Sequence, residues 1–163
     1  MKNCITIILL FTFCFLLFTS CNKLNVFEKD TTIPQYEWQY SYTPTFQFTI
    51  TDTTSNYYVY MVLRHTDAYR YNNIWLKIGL QQPTDSMRFG QYEFTLADDV
   101  KGWHGTGMDD IWEVRELINN GPLEYFTFKK QGDYKFSVAQ AMRENPLKNV
   151  MDIGIRIEKI KKD

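Results

Sequence analysis

The feature of this 163-residue chain that most restricts its fold is an alternation of apolar and polar side chains. It starts near residue 40 and recurs to the C-terminus. In "TFQFTIT", Phe46, Phe48 and Ile50 alternate with Gln47 and Thr49. In "NNIWLKIGLQ", Ile74, Leu76, Ile78 and Leu80 share one parity while Trp75 and Lys77 take the other. "GQYEFTLA" sets Tyr92, Phe94 and Leu96 together, and "VMDIGIRIEKI" does the same with Ile153, Ile155 and Ile157. "NYYVYMVLRHT" is aromatic and β-branched, and "EYFTFKK" and "GDYKFSVAQAM" alternate again across the turn signal "KKQGD". Successive side chains of an extended strand point to opposite faces, so each segment reads as a strand with one buried face. Short strands at about ten-residue spacing predict an all-β fold, an antiparallel β-sandwich of jelly-roll type. Only "AMRENPLKN" and "IWEVRELINN" leave room for one or two short helical turns.

The N-terminus has a different composition. After Lys2, Ile5 to Phe18 carries no charge. This run of about 14 residues is short of the ~20 that a membrane-spanning helix needs and suits the apolar core of a signal peptide. Thr19 and Ser20 then precede Cys21, as in the bacterial lipobox. That resemblance implies cleavage before Cys21, a thioether-linked lipid on its sulfur, and acyl chains such as palmitate. Cys4 and Cys14 lie in the segment to be removed, so of the three cysteines only Cys21 remains, and it is the one lipidated. Catalytic thiols, CxxC redox chemistry and cysteine–zinc sites are excluded. The expected organisation is a signal peptide over 1–20, a lipidated tether over 21–38 (polar, with Pro34) and one β-sandwich domain over 39–163. The formal net charge is −1, with no basic patch to neutralise phosphates, so nucleic acid is not an expected partner. The terminal "EKIKKD" reads as a solvated tail.

The stretch richest in chemistry-bearing residues is "KGWHGTGMDDIWE", residues 101–113. Gly102, Gly105 and Gly107 lack the lysine and hydroxyl residue of a phosphate-binding loop. They read instead as glycines at positive φ in a long hairpin connection, at Gly105 or Gly107 in particular. Asp109, Asp110 and Glu113 have oxygens suited to Ca²⁺ but fit no EF-hand spacing. The expected role of Asp110 is to accept hydrogen bonds from the loop backbone. His65 and His104 are the only histidines, too few for a catalytic zinc site. No GxSxG motif is present, and no cofactor or metal is expected. Trp75, Trp103 and Trp112 are candidate interaction aromatics, since an exposed aromatic strip docks a protein or stacks on a sugar.

"YNNIWLKI", "GWHGTGMDDIWE" and "GDYKFSVAQAMRENPLKNVMDIGIRIEK" together resemble the gliding-motility lipoprotein GldH family of the Bacteroidetes. The most specific parts are the glycine-rich loop leading into Asp110 and Ile111, and Gln140 to Glu158. The resemblance implies an envelope lipoprotein associated with gliding motility and the type IX secretion machinery, with no catalytic residues to carry over. The expected protein is therefore not an enzyme. It is held to the outer membrane by lipid on Cys21, faces the periplasm (no acidic cluster follows the cysteine), and contacts other envelope proteins. A carbohydrate-binding jelly-roll module, with a glycan as ligand, is the alternative from another class.

Overall fold

A computed structural model describes residues 26–119 and 123–160. In chain order the strands are β1 (Val26–Thr32), β2 (Glu37–Trp38), β3 (Thr45–Ile50), β4 (Tyr57–Thr66), β5 (Asn73–Gln81), β6 (Arg88–Thr95) and β7 (Ala97–Asp98). They continue with β8 (Gly102–Trp103), β9 (Thr106–Met108), β10 (Ile111–Leu117), β11 (Gly132–Gln140), β12 (Leu147–Lys148) and β13 (Val150–Lys159). One antiparallel sheet has the order β1-β13-β4-β10-β9 and the other β3-β11-β5-β6, while β2–β12 and β7–β8 form small ribbons. Counted along the chain, the eight long strands fall in the orders 1-8-3-6 and 2-7-4-5, the arrangement of a jelly roll.

The alternation predicts the packing. Phe46, Phe48 and Ile50 point inward from β3, Ile74, Leu76 and Ile78 from β5, and Ile153, Ile155 and Ile157 from β13, all at 5% exposure or less. Phe48 sits at the centre. Its ring lies within 5.7 Å of Phe27 and Phe128, 5.5 Å of Tyr134 and 5.6 Å of Phe136. Those rings come from β1, β3, β11 and the segment before β11, so one aromatic cluster joins the two sheets.

Three segments differ from expectation. The expected tether over 21–38 is, from Val26 onward, part of the sandwich: β1 pairs with β13 from Val26↔Glu158 to Thr32↔Asp152. Ile33 and Trp38 are fully buried, and Trp38 Nε1–H donates to the Tyr42 carbonyl at 2.8 Å. A polar strand at a sheet edge has little hydrophobic periodicity of its own, so its sequence resembles a linker. "IWEVRELINN" is strand from Ile111 to Leu117, because pairing with β4 and burial of Val114 outweigh its local helical character. "EYFTFKK" forms only one bridge, Phe126 with Tyr57, and crosses the open end of the sandwich with Phe126 and Phe128 turned into the core. The one helical turn among the described residues, Pro34–Tyr36, lies in neither predicted place.

The two ends of the sandwich differ. One end, here the loop end, carries the connections 33–44, 67–72, 96–110 and 141–149. The other, the turn end, carries 51–56, 82–87 and the connection from β10 to β11, together with the start of β1 and the finish of β13.

Candidate functional site

The loop end contains the glycine-rich stretch. Residues 97–103 form a tight hairpin of β7 and β8, closed by Gly102 at φ 75°. Asp98 Oδ1 accepts the N–H groups of Val100 (2.9 Å) and Lys101 (2.6 Å), and Asp98 Oδ2 lies 3.2 Å from His104 Nε2. The Lys101 N–H, then the Val100 N–H, hold the Asp98 carboxyl below the usual carboxylate range. Gly105 follows at φ 86°, where a Cβ would stand 2.0 Å from the Glu113 carbonyl oxygen, so no side chain fits. Gly107 has ordinary backbone but lies under the Trp112 ring, which a Cβ would approach to 2.9 Å. Asp109 (φ 56°) and Asp110 make the turn between β9 and β10.

The expected role of Asp110 falls to Asp98. The Asp110 main-chain carbonyl accepts the Asp67 N–H at 2.8 Å, but among the described residues its carboxylate accepts no loop amide and is exposed. The reason is position. Asp110 is at the apex of a hairpin whose amides are already paired in the ladder. Asp98 precedes amides that its tight turn leaves free. Glu113, the third oxygen donor of the calcium reading, is held by guanidinium groups, with Arg64 Nε at 2.7 Å and Arg115 at 2.8 Å. Burial pushes the Glu113 carboxyl up, but the two arginines together outweigh it and hold it low. Among the described residues no three or more His, Cys, Asp or Glu side chains come together as a metal site.

The three tryptophans do not form one strip. Trp103 turns inward beside His65 (centroids 4.5 Å apart, edge-on), and Trp112 is half-buried over Gly107. Trp75 is exposed on the outer face of the four-stranded sheet. Its main-chain N–H donates to the Met142 sulfur at 3.2 Å, and its side chain lines a hollow of ≈ 520 Å³ shared with Tyr71 and Arg143. A second, open groove of ≈ 710 Å³ runs along the loop-end half of the five-stranded sheet, between Met108, Ile111 and Met151 on one hand and Arg64, Glu113 and Asp152 on the other.

The outer face of that sheet carries a charge pattern that none of the sequence motifs marks. Outward positions of β1, β13, β4 and β10 form a connected ion lattice. Arg64 pairs with Glu113 and Asp152, Arg115 with Glu113 and Glu28, and Arg156 with Glu28 and Glu158. The available signal was opposite charge two residues apart, Glu113 with Arg115 and Arg156 with Glu158, which places both on one face of a strand. Cys21, the expected lipid site, lies outside the described residues.

Two open grooves of mixed apolar and charged lining lie on a sandwich whose strand order is that of the jelly-roll class. The chain belongs to the GldH lipoprotein family, whose pattern it matches over residues 25–157. It is 29% identical over 159 residues to a gliding motility lipoprotein GldH homolog of Christiangramia forsetii, covering 93% of this chain and 94% of that protein. It is 27% identical over 150 residues to the gliding motility lipoprotein GldH of Flavobacterium johnsoniae, covering 88% and 90% respectively. Among solved structures, the infectious bursal disease virus VP2 subviral particle aligns with 84% of this chain and 30% of that chain. At 14% identity and a TM-score of 0.35, that likeness carries no conclusion. Among the described residues no helix is long and apolar enough to cross a membrane.

Proposed function

We propose that this protein is a non-catalytic component of the gliding-motility or type IX secretion apparatus. It is held to the periplasmic face of the outer membrane by lipid on Cys21 and joined to other envelope proteins through its loop end. The observation that carries this reading is the family match over nearly the whole folded chain. On this reading the signal peptide ends at Ser20, and the first described strand starts five residues after Cys21, at Val26. The groove of Met108, Ile111 and Met151 supplies apolar contact area beside charged groups, which suits a protein better than a sugar. An aromatic platform for glycans is not favoured, since Trp103 and Trp112 are turned away from Trp75.

The test is photocrosslinking in living cells, with a crosslinking residue at Met108 or Trp75. A discrete adduct to another envelope protein is expected from at least one position, and it should weaken sharply in Cys21→Ala. A lipidated, membrane-bound protein that stays monomeric from both positions would overturn the reading.

A further inference from the structure

The register of β1 against β13 fixes how the molecule can meet a membrane. The inference rests on the lipid anchor at Cys21 proposed above. Five peptide steps separate Cys21 from Val26, and an extended chain covers at most ~3.6 Å per residue, so the anchor reaches no more than about 18 Å from the start of β1. Further length would come only from peeling β1 off its sheet. That strand is paired over all seven of its residues. It also inserts Phe27 against Phe48 at 5.7 Å and ties Glu28 to Arg115 and Arg156. Val26 pairs with Glu158 and therefore stands at the turn end, beside Lys159 and the turns 51–56 and 82–87. Ten residues of β13 rise about 33 Å to the loop end, beyond the reach of the tether.

Reach alone would also allow the sandwich to lie on its five-stranded face. Charge argues against that. The three guanidinium groups of that face, Arg64, Arg115 and Arg156, are all committed to carboxylates, and with Asp30 the carboxylates are in excess. Such a face is repelled by anionic headgroups. At the turn end the described charges balance instead, Arg88, Lys129, Lys130 and Lys159 against Asp52, Asp85, Glu124 and Asp133. Exposed apolar side chains favour the loop end. Among the described residues Tyr36, Tyr40, Trp75, Val100 and Met108 are exposed at or beside the loop end, and only Phe89 and Leu123 toward the other.

We infer that the sandwich stands end-on upon the lipid surface, with the turns 51–56 and 82–87 toward the headgroups and residues 97–110 projecting away from it. The loop-end groove is then offered to the aqueous side, several nanometres from the bilayer.

Two single-cysteine variants of the full-length lipidated protein test this, Ser86→Cys at the turn end and Val100→Cys at the loop end. The Cys21 sulfur is blocked by its lipid, so each variant has one free thiol for a fluorophore. In vesicles containing anionic phospholipid and a headgroup-attached quencher, the label at 86 should be quenched several-fold more than the label at 100. Equal quenching at both positions, or stronger quenching at 100, overturns the orientation. Insertion of a long Gly/Ser segment after Lys23 should leave the protein floating with the vesicles and remove the difference. A difference that survives the insertion overturns the tether as its cause. Protein that fails to float with vesicles at all refutes the lipid anchor, a result separate from equal quenching in protein that does float.

Discussion

At Asp98 one carboxylate oxygen takes the N–H groups of Val100 and Lys101 while the other faces His104, so a single side chain holds the 97–103 hairpin in shape. Asp98→Ala is expected to lower the melting temperature and speed amide exchange at Val100 and Lys101. Asp110→Ala, which removes an exposed carboxylate, should do neither. Because the Asp98 pKa is depressed in the fold, its contribution is present above the unfolded carboxylate range near pH 4 and is lost as pH falls further. His65 behaves differently. It is fully buried, its Nδ1–H donates to the Thr66 carbonyl at 2.8 Å, and its Nε2 has no partner among the described residues. Burial pushes its pKa down, against the smaller opposing effect of the Thr66 bond. The unfolded chain therefore binds a proton more readily than the folded one. Stability from this residue should be constant above about pH 6.5 and fall below it, by at most ~1.4 kcal/mol per pH unit. Melting curves between pH 7 and 5 check this: His65→Gln should lack that part of the slope.

At the scale of the strand, β1 and β13 depend on a glycine. Gly154 faces outward yet is buried by the close approach of β1: a Cβ there would stand 2.8 Å from the Lys29 carbonyl oxygen and 2.9 Å from Asp30 Cβ. Gly154→Val should press β1 off its neighbour at an overpacking cost of about 1–3 kcal/mol. Limited proteolysis should show the 26–32 segment cut before the rest of the domain. The lattice beside it is worth less than its geometry suggests. Its members are partly exposed, and exposed ion pairs contribute ~0–1 kcal/mol each. Glu113→Gln should shift the denaturant midpoint only slightly, and less at high salt. The β1 sequence, "VFEKDTT", carries one apolar side chain at an inward position, Phe27, so alternation alone does not mark it as a strand. Its pairing is visible only once β13 lies beside it.

Over the whole molecule, the two sheets are joined by the rings around Phe48. Phe48→Ala should cost about 3–5 kcal/mol, since four neighbouring rings cannot collapse into the gap. Urea unfolding should show one cooperative transition displaced to lower midpoint, both sheets failing together. A change confined to one sheet would show that the cluster does not couple them. The same architecture places the start of β1 and the finish of β13 at one end and the glycine-rich loop at the other, and so gives the molecule its polarity.

The alternation of Phe46, Phe48 and Ile50, of Ile74, Leu76 and Ile78, and of Ile153, Ile155 and Ile157 determined which faces are buried, and with them the all-β class. Side-chain parity is a local property of extended backbone and can be read without knowing any partner strand. Positive φ was expected at Gly105 or Gly107; it falls at Gly105 and at Gly102, while Gly107 keeps ordinary backbone and is required by the Trp112 ring over it, a contact that no local pattern encodes. Which strands pair, that residues 26–38 join the sandwich, that Asp98 and not Asp110 holds the loop, and that seven charges scattered from Glu28 to Glu158 meet on one face were decided by tertiary structure. Each depends on residues far apart in the chain, or on which amides the ladders leave unpaired, and no local pattern encodes either.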